Sequence, residues 1–298
     1  MAEFLSNQDF LPPKEKPLSI TVGFATIPKT PGEPNGDAVL INKNFFGVFD
    51  GTSDSYDDHK ASSFAKSEIN DFLSDPKKTP HSLEDAKDLV NEALNETHLK
   101  LFNYGEKNDS KLSTTASVGF IFQPRDSQPR LIVGNCGDSR VYLFDGKLGQ
   151  ITLDDNSVRI QNRKNPQEAF KIQSALSNIE KKSDLSDELK IYYRYRNMVF
   201  NCLGAKDSDE DKNRAEIIEP RIIDFKIEPG DLFLFGSDGL FDNLTNREIE
   251  EFFKQDLAPQ AIADSLIFKA KQRSLDEHHD RAKLDDISAI VVKVDYQP

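Results

Sequence analysis

Short apolar runs and longer helix-spaced repeats follow one another in blocks along this 298-residue chain. The first runs predict strands over residues 19–25, 38–41 and 45–49. Two helices are predicted next, because apolar residues recur every three or four positions over 61–73 and again over 83–101. The chain therefore begins with a group of strands followed by a pair of helices.

The same alternation is repeated in the second half of the chain. Strands are predicted over residues 115–122, 130–135, 140–144, 150–153, 221–227, 231–235 and 288–294. Helices should begin near Thr245 and Pro259, ahead of the last strand. Ser82 with Asp85, and Thr245 with Glu248, have the spacing of a capping box, which marks a helix start.

Paired helices between groups of strands favour an α+β fold, a four-layer sandwich of two antiparallel sheets with helices outside them. We expect a proline-interrupted N-terminal tail over residues 1–17 and one domain over 18–296. Residues 154–190 are polar, with one helix-like stretch near 168–179, and we interpret them as a flap-like insertion over a site.

The composition of the chain limits the kinds of partner and the compartment that we expect for it. A formal charge of −13, with 37% apolar and 30% charged residues, argues against non-specific binding to nucleic acid or to anionic lipid. No run reaches the length of a membrane helix, and no secretory leader is visible. Cys136 and Cys202 have no partner spacing, and we expect both to be buried apolar side chains. We expect a monomer in the reducing cytoplasm, with the nucleus as the alternative.

Four aspartates stand at the ends of predicted strands. Asp50 and Asp238 are each followed by glycine, Asp138 follows Gly137, and Asp285 precedes the last strand. Rigidly held carboxylates are the ligands that Mg²⁺ and Mn²⁺ prefer, so one shared metal centre would explain the repetition. Taken singly, each motif has an ordinary alternative: a hairpin turn, neutralisation of Asp138 by Arg140, or a solvated acid pair.

Asp242 and the histidines have less specific surroundings. Asp242 lies four residues after Asp238 and would reach the same site if a helical turn forms there; a cap or a solvated position is the alternative. The five histidines lie in polar or helical segments, and we expect surface or cap positions for them. Only His59 is close in sequence to Asp50, where it could reach the rim of the cleft.

The motifs, taken in order, resemble the type-2C family of metal-dependent protein serine/threonine phosphatases. The matching segments are Gly-Asp-Ala (36–38), Val-Phe-Asp-Gly (48–51), Ser-Thr-Thr-Ala (113–116), Gly-Asp-Ser-Arg (137–140), Asn-Cys-Leu-Gly (201–204), the stretch 229–242 and Asp-Asp-Ile-Ser (285–288). The resemblance extends from about residue 18 to 295. Its most specific segment is Pro-Gly-Asp-Leu-Phe-Leu-Phe-Gly-Ser-Asp-Gly-Leu-Phe-Asp at 229–242.

The resemblance implies an enzyme with two Mn²⁺ or Mg²⁺ ions that hydrolyses phosphoserine and phosphothreonine in a phosphorylated protein substrate. Asp50 would bridge both ions, the Gly51 carbonyl would bind one, and Asp238 and Asp285 would bind the other; these three aspartates would be the catalytic residues. A hydroxide between the ions would be the nucleophile. Three further aspartates complete the implied metal ligands: Asp37 would hold metal-bound water, while Asp138 and Asp242 could form a weaker third site.

Several positions depart from the family pattern. Thr52-Ser53-Asp54-Ser55 replaces a His and two glycines, Gly36 replaces an acid, and Asn156 and Asn201 replace a histidine and an arginine. The phosphate-binding arginine has no counterpart, and Lys29 is the nearest cation. An inactive pseudophosphatase that acts as a binding or regulatory domain is therefore the alternative to an active enzyme. A phosphatase of small molecules is a third.

Overall fold

The computed structural model describes residues 17–52, 58–124, 128–205 and 218–297. The predicted tail, up to residue 16, and Ser53, Asp54 and Ser55 of the altered loop lie outside the described residues. In the part of the chain that the structure describes, no helix is both long and apolar enough to cross a membrane.

In the described residues, ten strands form two antiparallel five-stranded sheets. In spatial order, one sheet contains β1 (Leu18–Ile27), β10 (Ile287–Tyr296), β9 (Leu232–Gly236), β6 (Arg140–Phe144) and β7 (Leu148–Gln150). The other contains β2 (Asp37–Asn42), β3 (Phe45–Asp50), β4 (Ala116–Phe122), β5 (Arg130–Cys136) and β8 (Arg221–Lys226). Each sheet thus combines strands from distant parts of the chain.

Helices cover the outer face of each sheet. The β2–β3–β4–β5–β8 sheet packs against α1 (Asp58–Ser74) and α2 (Leu83–Lys107), through apolar residues that include Ile69, Leu94 and Ile132. The other sheet packs against α6 (Asp238–Asn243), α7 (Asn246–Phe253) and α8 (Pro259–Ser274). The capping boxes predicted at Ser82 and Thr245 are both confirmed.

A third apolar cluster lies between the two sheets and includes Phe46, Val133, Phe233 and Phe235, all fully buried. The order of layers is therefore helix, sheet, sheet, helix, which confirms the predicted sandwich. Each inner strand face is apolar because it packs against the other sheet, and each outer face packs against a helix. The sheets are consequently buried on both sides, which explains the nearly continuous apolar runs in β4 and β9.

The predicted flap segment folds into three helices, α3 (Ser157–Gln161), α4 (Pro166–Leu176) and α5 (Asp187–Arg194). They surround a small apolar cluster of their own, which contains Leu153, Val158, Ile172 and Leu176. The helix-like stretch predicted near 168–179 thus corresponds to α4, although the helix begins two residues earlier, at Pro166.

Two local predictions need correction. The strand expected over 150–153 is instead β7, which ends at Gln150, because the chain turns there toward α3. The helical turn from Asp238 to Asp242, left open by the sequence, does form, as α6. His98 is not a surface residue: it is buried, and its Nδ1 accepts a hydrogen bond from the Gly204 amide at 3.0 Å. Both cysteines are buried, as expected.

Candidate active site

Asp37 and Asp50 lie opposite each other at one end of the β2–β3–β4–β5–β8 sheet. Asp37 is the first residue of β2, Asp50 is the last residue of β3, and the antiparallel register pairs them directly. Directly opposed residues on adjacent strands have Cβ atoms about 5 Å apart, and two like charges in that arrangement repel. The pair therefore requires a cation or a proton.

The Asp37 carboxylate is fixed between the two sheets. Its Oδ2 accepts a hydrogen bond of 2.6 Å from Ser237 Oγ, which in turn accepts one of 3.0 Å from the Ser288 amide. Its Oδ1 is buried and has no hydrogen-bond partner among the described residues. Burial, opposed by the side chains of Ser237 and Ser288 and assisted by the charges of Asp286 and Asp285, raises the pKa of Asp37 to about 8.

The backbone of Asp50 is held by the start of β4. The Asp50 amide donates to Thr115 Oγ1 at 3.1 Å, and the Asp50 carbonyl accepts from the Thr115 amide at 2.8 Å and from Thr114 Oγ1 at 2.9 Å. Withdrawal from water raises the pKa of the Asp50 carboxyl well above its usual range, and so do the nearby charges of Asp37 and Asp238. A group in such a position is stabilised as an anion only when a cation is bound beside it.

Two glycines beside these aspartates make room for other acids. A Cβ on Gly51 would lie 2.4 Å from the Asp58 carbonyl oxygen, so only glycine fits there. A Cβ on Gly36 would lie 2.9 Å from Asp286 Oδ2 and 3.2 Å from Asp58 Oδ2. The carboxylates of Asp58 and Asp286 therefore occupy the space beside position 36, where the family pattern has an acid.

Helix α6 carries two more of the predicted ligands. Asp238 and Asp242 are four residues apart, one helical turn, and both carboxylates contact Lys283 Nζ, that of Asp242 at 3.1 Å. Asp285, just before β10, contacts the same nitrogen at 2.9 Å. One ammonium group thus joins three acids from two separate segments of the chain.

Asp138 and Asp242, the two acids of the predicted third site, differ in their charge environment. Burial and then the charge of Asp238 raise the pKa of Asp138 well above its usual range. Burial alone would also raise the pKa of Asp242, but the cations Lys283, Arg196 and Arg140 together lower it to about 2. Asp242 is therefore a permanent anion that already has cationic partners.

Arg140 pairs with Asp154 and not with Asp138, the partner that the sequence suggested as an alternative. Its guanidinium binds Asp154 through Nε at 2.9 Å and through a terminal nitrogen at 2.7 Å. Arg140 is therefore not the counter-charge of Asp138. This bidentate pair has the fork geometry that arginine and carboxylate prefer. Asp138 thus has acidic neighbours, and the charge of Lys283 partly offsets them.

A cleft of about 1070 Å³ brings these groups to one surface. Its lining includes six aspartates: Asp50, Asp58, Asp138, Asp238, Asp285 and Asp286. It also includes apolar and sulfur-bearing side chains: Phe102, Leu112, Met198, Val199, Phe200 and Cys202. Lys29, Lys111 and Lys283 supply positive charge. The cleft therefore presents acidic, basic and apolar side chains to a ligand.

The aspartate oxygens at this cleft suit a hard divalent cation. On the side of Asp37, Asp50 and the Gly51 carbonyl (the Asp37–Asp50 side), the orphaned Oδ1 of Asp37 is a buried acceptor that a cation would satisfy. The Lys283 side, formed by Asp238, Asp242 and Asp285, already holds an ammonium group. Within the described parts of the chain, no three acidic, histidine or cysteine side chains are arranged as a ready metal cage.

Sequence reasoning missed two of these residues. Lys283 lies two positions before Asp285, and its Nζ reaches Asp285 Oδ2, so closeness in sequence to a predicted ligand is the signal that could have identified it. Asp58 is the first residue of α1, and its approach to Gly36 depends on how α1 packs on the sheet. No local pattern indicates that contact.

Comparison with known proteins identifies the same family as the sequence motifs. The model of the family described as Protein phosphatase 2C matches residues 29–278. The chain is 25% identical over 251 residues to "Probable protein phosphatase 2C 30" of Arabidopsis thaliana, which covers 84% of this chain and 58% of that protein. The chain spans about half the length of the curated relatives it matches, 46% to 58%.

Two solved structures share the fold. One is the serine/threonine phosphatase Stp1 from Staphylococcus aureus, with a TM-score of 0.70 and 19% identity, covering 92% of this chain and 95% of that one. The other is the catalytic domain of the phosphatase PstP in complex with two manganese ions, with a TM-score of 0.63 and 20% identity, covering 94% of this chain and 100% of that one. At these identities the likeness establishes the fold.

Proposed function

Because the chain belongs to the protein phosphatase 2C family, we propose that it is a metal-dependent phosphatase that hydrolyses phosphoserine and phosphothreonine in proteins. The cofactor would be Mn²⁺ or Mg²⁺. A monomer in the cytoplasm or the nucleus, as expected from the sequence, is part of the same proposal.

One observation carries this proposal. Three parts of the chain that are far apart in sequence, the end of β3, the start of α6 and the segment before β10, bring acids to one cleft, and Asp37 of β2 lies opposite Asp50 beside it. The charges of Asp37, Asp238 and Asp285 all raise the pKa of Asp50, which reports their closeness. A group of facing carboxylates destabilises the fold unless it binds something positive, so a function at this cleft is the simplest reason for it.

The residues of the chain would have the following roles in metal binding and catalysis. Asp37, Asp50 and the Gly51 carbonyl would hold metal on one side, Asp238 and Asp285 would hold metal on the other, and Asp138 with Asp242 could add a weaker site. The bound ions would activate water and offset the charge of the phosphate. Thr114 and Thr115 keep the Asp50 backbone in place, and the Ser237 hydroxyl orients Asp37.

The substrate would be positioned by the rest of the cleft. A phosphate near these aspartates needs nearby cations, and Lys29 and Lys111 line the cleft in the absence of the family's arginine. Met198 and Phe200 line the cleft with 50% and 39% of their surface exposed, and they could contact apolar side chains of a peptide. This combination favours a phosphorylated peptide segment over a small, fully polar phosphate ester.

A second candidate, a pseudophosphatase, is favoured by a specific contact. Lys283 bridges three of the acids that would otherwise bind a dication, and a permanent ammonium there could replace metal chemistry altogether. Such a domain would retain the fold and bind phosphoproteins without hydrolysing them.

The two candidates differ in turnover. The purified chain with Mn²⁺ should hydrolyse an aryl phosphate and a phosphothreonine peptide, and Asp50→Asn should abolish both reactions while leaving the circular dichroism spectrum unchanged. Asp88→Asn, an exposed acid on α2 outside the cleft, is the matched control and should behave as wild type. No turnover with either metal in the wild type would reject the enzyme and favour the pseudophosphatase.

A further inference from the structure

Lys283 occupies a position that a metal ion would be expected to take. Its Nζ lies 2.9 Å from Asp285 Oδ2 and 3.1 Å from Asp242 Oδ2, and it also contacts Asp238 Oδ2. A lysine ammonium normally reaches solvent, whereas only 23% of this side chain is exposed. Three carboxylates around one nitrogen resemble the oxygen shell of a cation, with the ammonium as the central charge.

The two sides of the cleft differ in how their charge is balanced. On the Lys283 side three carboxylates share an ammonium group. On the Asp37–Asp50 side, Asp37 Oδ1 is buried without a hydrogen-bond partner among the described residues, and Asp58 and Asp286 add further negative charge beside Gly36. A divalent ion would therefore meet bare carboxylates on one side and would have to displace a tethered cation on the other.

We propose that the Lys283 ammonium is a built-in substitute for one divalent ion, so that this chain binds one Mn²⁺ on the Asp37–Asp50 side and admits a second only in competition with Lys283. The inference rests on the proposed function, since it assumes that the cleft binds metal. Lys283 would then determine how many metal ions the chain binds. The proposal also explains why the aspartates typical of the family are present although no three ligands in the described residues form a ready metal site.

Calorimetric titration with Mn²⁺ tests this directly. Wild type should bind one ion tightly, and Lys283→Met should either gain a second ion per chain or bind the second at least about tenfold more tightly. Lys283→Arg keeps the charge and should resemble wild type. Lys164→Met makes the same change at an exposed lysine and is the matched control. Equal stoichiometry and affinity in wild type and Lys283→Met would overturn the proposal.

A stability measurement accompanies the titration. Removing the ammonium leaves three carboxylates without their shared counter-charge, so Lys283→Met should melt lower than wild type in EDTA. Excess Mn²⁺ should then raise its melting temperature by more than it raises that of wild type. An equal Mn²⁺-induced shift in both proteins would contradict the substitution of one cation by another.

A third measurement uses the wild type alone, so that it does not depend on whether the variants fold. If Mn²⁺ and Lys283 compete, saturating Mn²⁺ should increase reductive methylation of Lys283, followed by mass spectrometry, relative to EDTA. Methylation of Lys283 that is unchanged or lower at saturating Mn²⁺ would overturn the inference.

Failure of the inference and failure of the proposed function are distinguishable. Binding of two ions of similar affinity by wild type, with turnover, would refute the role of Lys283 and leave the phosphatase intact. No binding by wild type or by Lys283→Met would refute both. One ion in wild type and two in Lys283→Met would support the inference whether or not the protein turns over substrate.

Discussion

Ser237 Oγ donates a 2.6 Å hydrogen bond to Asp37 Oδ2, and this contact joins the two sheets at the edge of the candidate active site. Ser237 follows β9 in one sheet, and Asp37 begins β2 in the other. The second oxygen of Asp37, Oδ1, is buried without a hydrogen-bond partner among the described residues. The orientation of a ligand thus depends on a residue from the opposite sheet.

Ser237→Ala should therefore weaken both the fold and the site. A buried carboxylate that loses its donor costs about 1–3 kcal/mol, measured as the free energy of unfolding in urea. Mn²⁺-dependent hydrolysis should fall about tenfold or more, because the ligand is no longer oriented. Ser174→Ala, at an exposed position of α4, is the control and should change stability by less than about 0.5 kcal/mol. Unaltered activity in Ser237→Ala would show that Asp37 does not need this donor.

A second prediction concerns the close contact between α6 and the segment before β10. A Cβ on Gly239 would lie 2.0 Å from the Asp286 carbonyl oxygen and 3.2 Å from Asp285 Cβ. Gly239→Ala must displace that segment, which carries Asp285, and overpacking of this kind costs about 1–3 kcal/mol. We expect a lower melting temperature and a loss of most Mn²⁺-dependent turnover.

The matched control for this change is Gly149→Ala in β7. There an added Cβ would meet only the Leu143 carbonyl oxygen, at 3.9 Å, which is an ordinary contact. Its stability should stay within about 0.5 kcal/mol of wild type. If the two variants were equally stable and equally active, the tight approach of α6 to the Asp285 segment would not matter for the site.

Local patterns in the sequence were sufficient for most of the fold. Strand alternation and helix spacing are set by near neighbours, and the capping boxes of Ser82 and Thr245 involve residues three positions apart, so all of these could be predicted. Helix α6 was harder, since it is only six residues long and contains Gly239. Its side chains are buried by β9, β10 and α8, which no local pattern reveals.

Only the part of the site formed by aspartates at strand ends could be predicted from the sequence. Aspartates at strand ends are recognisable because an acid after an apolar run is unusual. The position of Lys283 was not predicted, because lysines are nearly always solvated and this one is buried only after α6 brings Asp238 and Asp242 to it. The position of Asp58 beside Gly36 likewise depends on tertiary packing.

Arg281 supplies a third prediction, about the junction between α4 and α6. It is buried, and its guanidinium donates to the carbonyls of Leu176 and Ile179, at and just after the end of α4, and to those of Phe241 and Leu244 around the end of α6. A lysine has a single nitrogen and cannot reach all four. Arg281→Lys should lower the free energy of unfolding by about 2–4 kcal/mol, since buried carbonyls lose their donors.

The exposed pair Arg247–Glu180 provides the comparison for that variant, because 71% of the Arg247 side chain is accessible. Arg247→Lys should cost no more than about 0.5 kcal/mol. A similarly small effect for Arg281→Lys would mean that the carbonyls find other donors and that Arg281 does not link the two helices.

The last prediction concerns stability in acid and involves Glu248, at the start of α7. Glu248 accepts hydrogen bonds from the Thr245 amide at 2.9 Å and from Arg273 at 2.6 Å and 3.0 Å, and Lys269 lies 3.2 Å away. Burial alone would raise its pKa, but these partners lower it to about 2, from an ordinary value of 4.5. A folded-state pKa below the unfolded one stabilises the fold above pH 4.5, and that contribution is lost as the pH falls toward 2.

Glu248→Gln removes the charge at every pH. The amount by which its free energy of unfolding falls below that of wild type should therefore depend on pH. The free energy of unfolding should differ between the two proteins most at pH 7, and the difference should shrink by about 1.4 kcal/mol by pH 3.5, because wild-type Glu248 is by then mostly protonated in the unfolded chain. Glu251→Gln, an exposed change on the same helix, is the control and should give a small difference at both values. Urea unfolding at pH 7 and pH 3.5 measures both. A Glu248→Gln deficit of the same size at the two pH values would mean that the carboxylate is not held by Arg273 and Thr245 in the folded protein.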